Sequence, residues 1–297
     1  MLNIIGHRKI FLFVSLTLVG LSLLSMALFR FKLGVDFSGG SLWQVKIPAT
    51  TPAAVKNFFE SDLGFKGVSV AYDAPSETYA VTLTQLSESN RQADLQKLKT
   101  QFGSGVQDVD FWSLSPSVSS ELASRALWAI FLVLIGVSFY IAYAFRKVSR
   151  PVSSWKYGLI TLGTLFHDVI IPAGVYAALG KFFGASADTN FVVALLVVMG
   201  FSVHDTIVVF DRTRENLSLN RGKIDLKEIV NRSVNETMRR SINTSLALVL
   251  VLLALYFLGP QSLKYFVLTL LIGTIVGTYS SIFVASPLLV MTEKKNK

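Results

Sequence analysis

The chain contains no cysteine. Disulfide staples, thiolate-bound zinc and thiol nucleophiles are therefore excluded. Histidine is nearly as scarce, with only His7, His167 and His204 among 297 residues. A histidine-rich metal centre is not expected, although a His/Asp ligand pair stays chemically open. There is no G-x-x-x-x-G-K-[ST] phosphate loop, nucleophile elbow or H-E-x-x-H zinc motif. The chain is not read as an enzyme, ATP hydrolysis is not expected of it, and neither a metal nor a cofactor is implied. Charged residues make up 16% of it, below the roughly 25% of ordinary soluble domains. Its basic surplus, a formal +9, sits in short segments beside apolar runs. Membrane topology explains that placement better than nucleic acid does, so no nucleic-acid partner is expected.

Apolar sequence is what the chain has in excess: 52% hydrophobic residues and a mean hydropathy of +0.52. Six runs, at 10–29, 126–145, 158–180, 191–210, 242–258 and 266–290, have the roughly 17–25 residues that a membrane-crossing helix needs. The first carries a cleavage-like Ser25-Met-Ala27, but its apolar stretch is longer than a signal peptide's, which favours an uncleaved anchor. Lys and Arg cluster before the first run (Arg8, Lys9), between the second and third (Arg146, Lys147, Arg150, Lys156) and between the fourth and fifth (Arg212 to Arg240). They also end the chain (Lys294, Lys295, Lys297). With six spans all these segments share one side. That side is expected to be the cytoplasm, with both termini inside.

The expected division is a cytoplasmic N-terminus and first span at 1–30, an outer domain at 31–121, and a five-helix membrane domain at 122–297. In the outer domain, strand patterns at 41–47, 67–72, 78–84 and 106–114 alternate with helical patterns at 51–63 and 89–102. Pro52 stands in a first-turn position, a turn at 73–76 separates the middle strands, and Gly103 ends the second helix. The order βαββαβ predicts a split-βαβ, ferredoxin-like α+β domain outside the membrane. Such a fold names no activity. The charged segment 211–241 is read as a cytoplasmic loop. Ile224, Leu226, Ile229, Val230, Val234 and Met238 within it suggest an amphipathic helix, either a partner-docking surface or a solvated connector.

Two apolar runs carry a His-Asp pair in their interior, His167-Asp168 and His204-Asp205. Ionisable groups in a bilayer core are costly, and mark ion paths, proton relays or pairing sites. By the run ends given above, Asp205 lies roughly 9 Å from the cytoplasmic end of its span, and His167-Asp168 roughly 15 Å from theirs. These side chains are too short to snorkel. Arg240, at the start of the fifth span, is the expected partner of Asp205. It is a permanent cation that holds the carboxylate ionised in one state and releases it in another. A static salt bridge is the plainer alternative. For His167 and Asp168, proton coupling and the simple knitting of two helices stand side by side. His204 either shares the proton path or hydrogen-bonds a neighbour. Sodium in place of protons also stays open, with Ser202 and Thr206 as hydroxyl ligands. Thr269, Gly273, Gly277, Ser281 and Ala285 recur every four residues on one helix face, for packing within the chain or against a partner. Val35-Asp36-Phe-Ser-Gly39-Gly40, after the first span, is read as a structural turn.

Together these motifs resemble those of the SecD/SecF family of protein-export membrane proteins, in particular its smaller, SecF-type members. The resemblance covers nearly the whole chain. It rests on residues 35–40, on His167-Asp168-Val169, on Asp205 through Asn216, on Asn231 through Thr244, and on Gly277 through Pro287. It implies a membrane half that pairs with the related half of SecD, giving a twelve-helix core like that of resistance-nodulation-division (RND) transporters. It further implies residence in the bacterial inner (cell) membrane, in contact with membrane lipid. The implied partners are the SecYEG channel, the SecA motor and translocating secretory polypeptides, with the proton motive force as energy source. On this resemblance Asp205 and Arg240 match the family's membrane carboxylate and arginine. His204 departs from the Asn common at that position. SecD would supply a second carboxylate, so this chain is not expected to complete a proton path alone. The alternative function is an RND-type small-molecule or lipid efflux subunit, against which the single modest outer domain speaks. A third reading is an assembly factor whose membrane charges only hold helices together.

Overall fold

The computed structural model describes residues 1–74, 76–146, 152–220 and 224–292. Pro75 of the expected turn and the basic residues Lys147, Arg150, Arg221, Lys223, Lys294, Lys295 and Lys297 lie outside them. The first long helix, α1 (Arg8–Phe29), is followed by the single turn α2 (Val35–Ser38). Then come β1 (Gly40–Lys46), α3 (Pro52–Asn57) running into a π-helical turn at Phe58–Asp62, β2 (Ser69–Asp73) and β3 (Thr78–Leu83). This segment closes with α4 (Glu88–Phe102) and β4 (Gln107–Leu114). Local chemistry sets the ends. Thr51 caps α3 by accepting from the Ala54 N–H at 3.3 Å, with Pro52 at the first helical position. Ser87 caps α4. Gly103 ends it at φ +93°, a conformation glycine adopts freely.

The four strands form one sheet in the order β2-β3-β1-β4, with every neighbouring pair antiparallel. Trp43, Val45 and Val81 point to one face, where Val55, Phe59, Leu95 and Leu98 from the helices bury against them. Alternation along β1 thus gives this domain its core. The Trp43 indole N–H donates to Asp108 at 2.9 Å. Arg91 pairs with the same carboxylate, with its guanidinium 5.0 Å from the Phe111 ring centre.

Five more long elements build the membrane bundle: α5 (Pro116–Ala144), α6 (Ser154–Phe183), α7 (Thr189–Asn220), α8 (Leu226–Leu258) and α9 (Lys264–Ser280). The last continues through a π-helical turn at Ser281–Ala285 into α10 (Ser286–Met291). Among the described residues six helical stretches are long and apolar enough to cross a membrane. α6, α7 and α9 are the buried interior, while α1, α5 and α8 turn most of their apolar side chains outward. Small residues set the spacing. A Cβ on Gly273 would run into Val198, and one on Gly277 would lie 3.0 Å from the Ser202 Cβ. The four-residue stripe therefore packs α9 on α7 inside the chain. Likewise Gly174 of α6 admits Ser22 of α1, and the Ser25 hydroxyl donates to the Gly174 carbonyl at 2.7 Å.

The described residues of the segment 211–241 are mostly helical, as the periodicity from Ile224 to Met238 suggested. α7 continues to Asn220 and α8 already begins at Leu226. Charged residues end an apolar run without ending a helix, and here two spans extend as a helical hairpin. Ile229, Val230 and Val234 bury in one cluster with Phe210 and Leu217. Arg212 bridges Glu215 and Glu236 at 2.6 Å each, Arg232 meets Glu236 at 2.8 Å, and Asn216 donates to Glu236 at 2.9 Å. The expected amphipathic stripe is thus occupied within the chain.

Candidate functional site

Asp168 lies at the centre of the bundle and is fully buried. His167 Nδ1 is 2.8 Å from its Oδ1, the Ser280 hydroxyl donates to Oδ2 at 2.7 Å, and the Ser202 hydroxyl donates to the same oxygen. Donors from α6, α7 and α9 thus converge on one carboxylate, which is how a buried charge is tolerated. Both flanking helices are irregular here. Pro172 lacks the N–H that the Asp168 carbonyl would accept in a regular helix. The π-helical turn begins directly after Ser280, and such turns gather at functional places.

Asp205, one turn beyond Ser202 on α7, is also buried. The hydroxyls of Thr278, Ser245 and Ser241 stand around its carboxylate. Ser245 Oγ and Thr278 Oγ1 are 2.5 Å apart. Asp205 Oδ2 has no hydrogen-bond partner among the described residues, and neither has the buried hydroxyl of Thr206. Because α7 extends to Asn220, Asp205 lies about 22 Å from the helix end rather than 9 Å.

The expected Arg240–Asp205 pair is not formed. Among the described residues no ion pair involves Arg240, which is exposed and lines a cleft of about 430 Å³ with Asp211, Glu215 and Glu236. Consecutive helical residues point about 100° apart. Ser241 faces Asp205, so its neighbour Arg240 faces the cleft. His204 is likewise exposed, on the same outward face of α7 as Val193, Val197 and Gly200. The structure therefore brings His167 and Asp168 together with Ser202 and Ser280, and Asp205 with hydroxyls, while Arg240 and His204 stand apart.

The 35–40 motif does more than turn the chain. Gly39 and Gly40 have φ +75° and +117°, and a Cβ on Gly40 would lie 2.5 Å from the Leu83 carbonyl oxygen. Asp36 Oδ2 accepts the Thr189 N–H at 2.9 Å, and Asp188 Oδ1 accepts the Phe191 N–H at 2.9 Å. These two carboxylates cap the N-terminus of the helix that carries Asp205, and Asp36 ties it to the turn that leads into the sheet domain. Sequence reasoning missed this role, and the hydroxyls of Ser280, Thr278 and Ser245 as well. Their only signal was a polar residue within an apolar span.

These features define a polytopic helical membrane protein with ionisable groups buried among its central helices. The chain belongs to the SecD/SecF family of protein-export membrane proteins. The family described as "Protein export membrane protein SecD/SecF, C-terminal" matches residues 94–295. The chain is 41% identical to the protein translocase subunit SecF of Thermobaculum terrenum, covering 100% of this chain and 95% of that relative. It is 37% identical to SecF of Anaerolinea thermophila, covering 99% of this chain and 94% of the relative. The crystal structure of SecDF, a translocon-associated membrane protein from Thermus thermophilus, matches with a TM-score of 0.84 at 30% identity. The match covers 98% of this chain but only 38% of that one, so this chain spans little more than a third of SecDF. SecDF in its super-membrane-facing form matches with a TM-score of 0.65.

Proposed function

We propose that this chain is the SecF half of a proton-driven protein-export complex. In this reading it pairs with SecD, works beside SecYEG and SecA, and draws secretory polypeptides outward at the expense of the proton motive force. The full-length likeness to SecF subunits and the SecF-like part of SecDF support the partnership with SecD. Asp205 is the observation that carries the proton coupling. It is a buried carboxylate with one unpartnered oxygen, next in sequence to the exposed His204 and close to the cleft that holds Arg240. Buried ionisable groups in membrane interiors mark such paths by default. In one state Asp205 is neutral among hydroxyls. In another, a shift of α8 brings Arg240 to it and the proton leaves. His204 faces outward, where the SecD half would lie, and serves as a relay across that interface.

The split-βαβ domain, with its ferredoxin-like strand order, lies outside the cytoplasm and meets the emerging chain. Both termini lie in the cytoplasm of a bacterial cell with this protein in its inner membrane. The test is complementation of cells lacking their own SecF, with assembly checked by co-purification of SecD. Asp205→Asn and Arg240→Ala should lose export to the same degree while SecD still co-purifies. Near-normal export in Arg240→Ala would remove the pairing step. An unaltered phenotype for both, or drug efflux without an export defect, would overturn the reading.

A further inference from the structure

We propose that His167-Asp168 is a second proton-binding site of this chain, set inside its own bundle and coupled to Asp205 through hydroxyl groups. It rests on the proton-coupled reading above but concerns residues that the Asp205–Arg240 step does not use.

The buried side-chain atoms without a hydrogen-bond partner are the first observation. Among the described residues of the membrane bundle these are Ser15 Oγ, Tyr157 Oη, His167 Nε2, Asp205 Oδ2, Thr206 Oγ1 and Ser241 Oγ. Each such group costs free energy, more so in a bundle surrounded by lipid. Yet three of them, Asp205 Oδ2, Ser241 Oγ and His167 Nε2, belong to the polar groups around the two buried carboxylates. Ser241 and Ser245 on α8 stand against Asp205 on α7 beside Thr278 on α9. One turn away, Ser202 of α7 and Ser280 of α9 bind Asp168 of α6. α6 also packs against α1. The Ser22–Gly174 contact fixes the register of those two helices, and their outer ends also meet, near Lys32 and Gly180. Seven residues earlier on each helix stand Ser15 and His167, whose Oγ and Nε2 are buried without a partner. A purely structural knot would satisfy its members; this seam leaves an open acceptor or donor at each end.

The second observation is the state of the His167 ring. Its Nδ1 is committed to Asp168, while Nε2 is buried and bonds to nothing. An imidazole held in this way has one nitrogen free to take a proton, with the counter-charge already beside it. Uptake converts neutral imidazole and carboxylate into an imidazolium–carboxylate pair. Loss of the Asp205 proton places a negative charge one turn of α7 from Ser202, a donor to Asp168, and so favours proton uptake on the His167 ring. No other ionisable group competes. Between Lys9 and Arg30 α1 has none, and between Arg125 and Arg146 α5 has only the tyrosines Tyr140 and Tyr143. Between Phe191 and Phe210 the ionisable groups of α7 are Asp205 and the outward His204. On α9 Tyr279 has its hydroxyl donated to the Phe11 carbonyl at 3.0 Å. Pro172 and the π-helical turn leave α6 and α9 free to shift when the pair changes charge.

Three histidines make the test direct. The full chain, labelled with ¹⁵N-histidine, purified through a histidine-free tag and held in lipid nanodiscs, gives three ring signals. His7→Gln with His204→Gln leaves His167 alone, so its assignment does not depend on the folding of a His167 variant. As the pH falls from 9 to 5 the His167 Nε2 signal should pass from the unprotonated to the protonated form. Its midpoint should move by about one pH unit in Ser280→Ala, the effect of a lost hydrogen bond to a charged group. Asp205→Asn should move it too. A single neutral tautomer across the whole range overturns the site, and a titration indifferent to both substitutions overturns the coupling. Neither result depends on export, so the SecF reading stands or falls separately.

Discussion

Adding one methyl group at Gly273 should weaken the bundle, and removing two from Val198 should restore it. The methyl of Gly273→Ala lands on the γ carbons of Val198, and even the Val198 Cβ is 3.0 Å away. Ordinary carbon contacts lie at about 3.5–4.0 Å, so α9 and α7 must part or Val198 must leave its rotamer. Overpacking of this kind costs about 1–3 kcal/mol. Val198→Ala alone should cost about 1–2 kcal/mol through two lost methyl contacts. The double variant loses the collision along with those contacts. It should be no less stable than Val198→Ala, a coupling of about 1–3 kcal/mol. Titration of the purified chain from mild detergent into SDS, followed by helical circular dichroism, reads these differences. Additivity to within about 0.5 kcal/mol would refute the reasoning, because the two positions would then not meet.

Other predictions concern the outer domain and its link to the membrane. Trp43→Ala should cost about 3–5 kcal/mol in thermal unfolding, since the ring is fully buried. Trp43→Phe should cost far less, and equal losses would mean that the bond to Asp108 outweighs the packing. Asp36→Ala should cost about 1 kcal/mol through the lost cap on Thr189, whereas Asp36→Asn keeps an acceptor and should cost little. Burial holds the Asp188 carboxyl above the usual carboxylate range, against the Phe191 N–H bond and with the charge of Asp36 adding to the rise. The folded state therefore binds that proton more readily than the unfolded chain. Stability from this group is present at low pH and falls as pH climbs from about 3.9 towards the raised value. Asp188→Asn should flatten that decline, and an unchanged pH slope in the variant would contradict it.

Much of the architecture can be read from the residues, because hydropathy locates membrane spans and period-2 alternation locates strands. The alternation over 41–47, Pro52 and Gly103 announced a strand, a helix start and a helix stop of the sheet domain in a local pattern. The stripe from Ile224 to Met238 marked a helix, but the continuation of α7 past Phe210 did not announce itself. There apolar sequence ends while the helix continues, held by Arg212, Glu236 and the buried Ile229 and Val230. His167-Asp168 and Asp205 stood out because charge is rare in an apolar run. Most of their partners did not, since a serine at 245 or 280 becomes a donor only when three helices are set at a particular register. Arg240 misled for a related reason. Its sequence position puts it at the right depth, but depth on a helix does not fix azimuth, and Ser241 holds the face towards Asp205.

The most direct measurement is export of a secretory precursor by membrane vesicles carrying this chain and SecD, with and without a proton gradient. Asp205→Asn is compared with wild type, and assembly with SecD is verified in both. The SecF reading predicts that the gradient-dependent part of export disappears in the variant while gradient-independent export and assembly persist. Gradient-dependent export at the wild-type level in Asp205→Asn would contradict it and leave the buried carboxylate a structural residue.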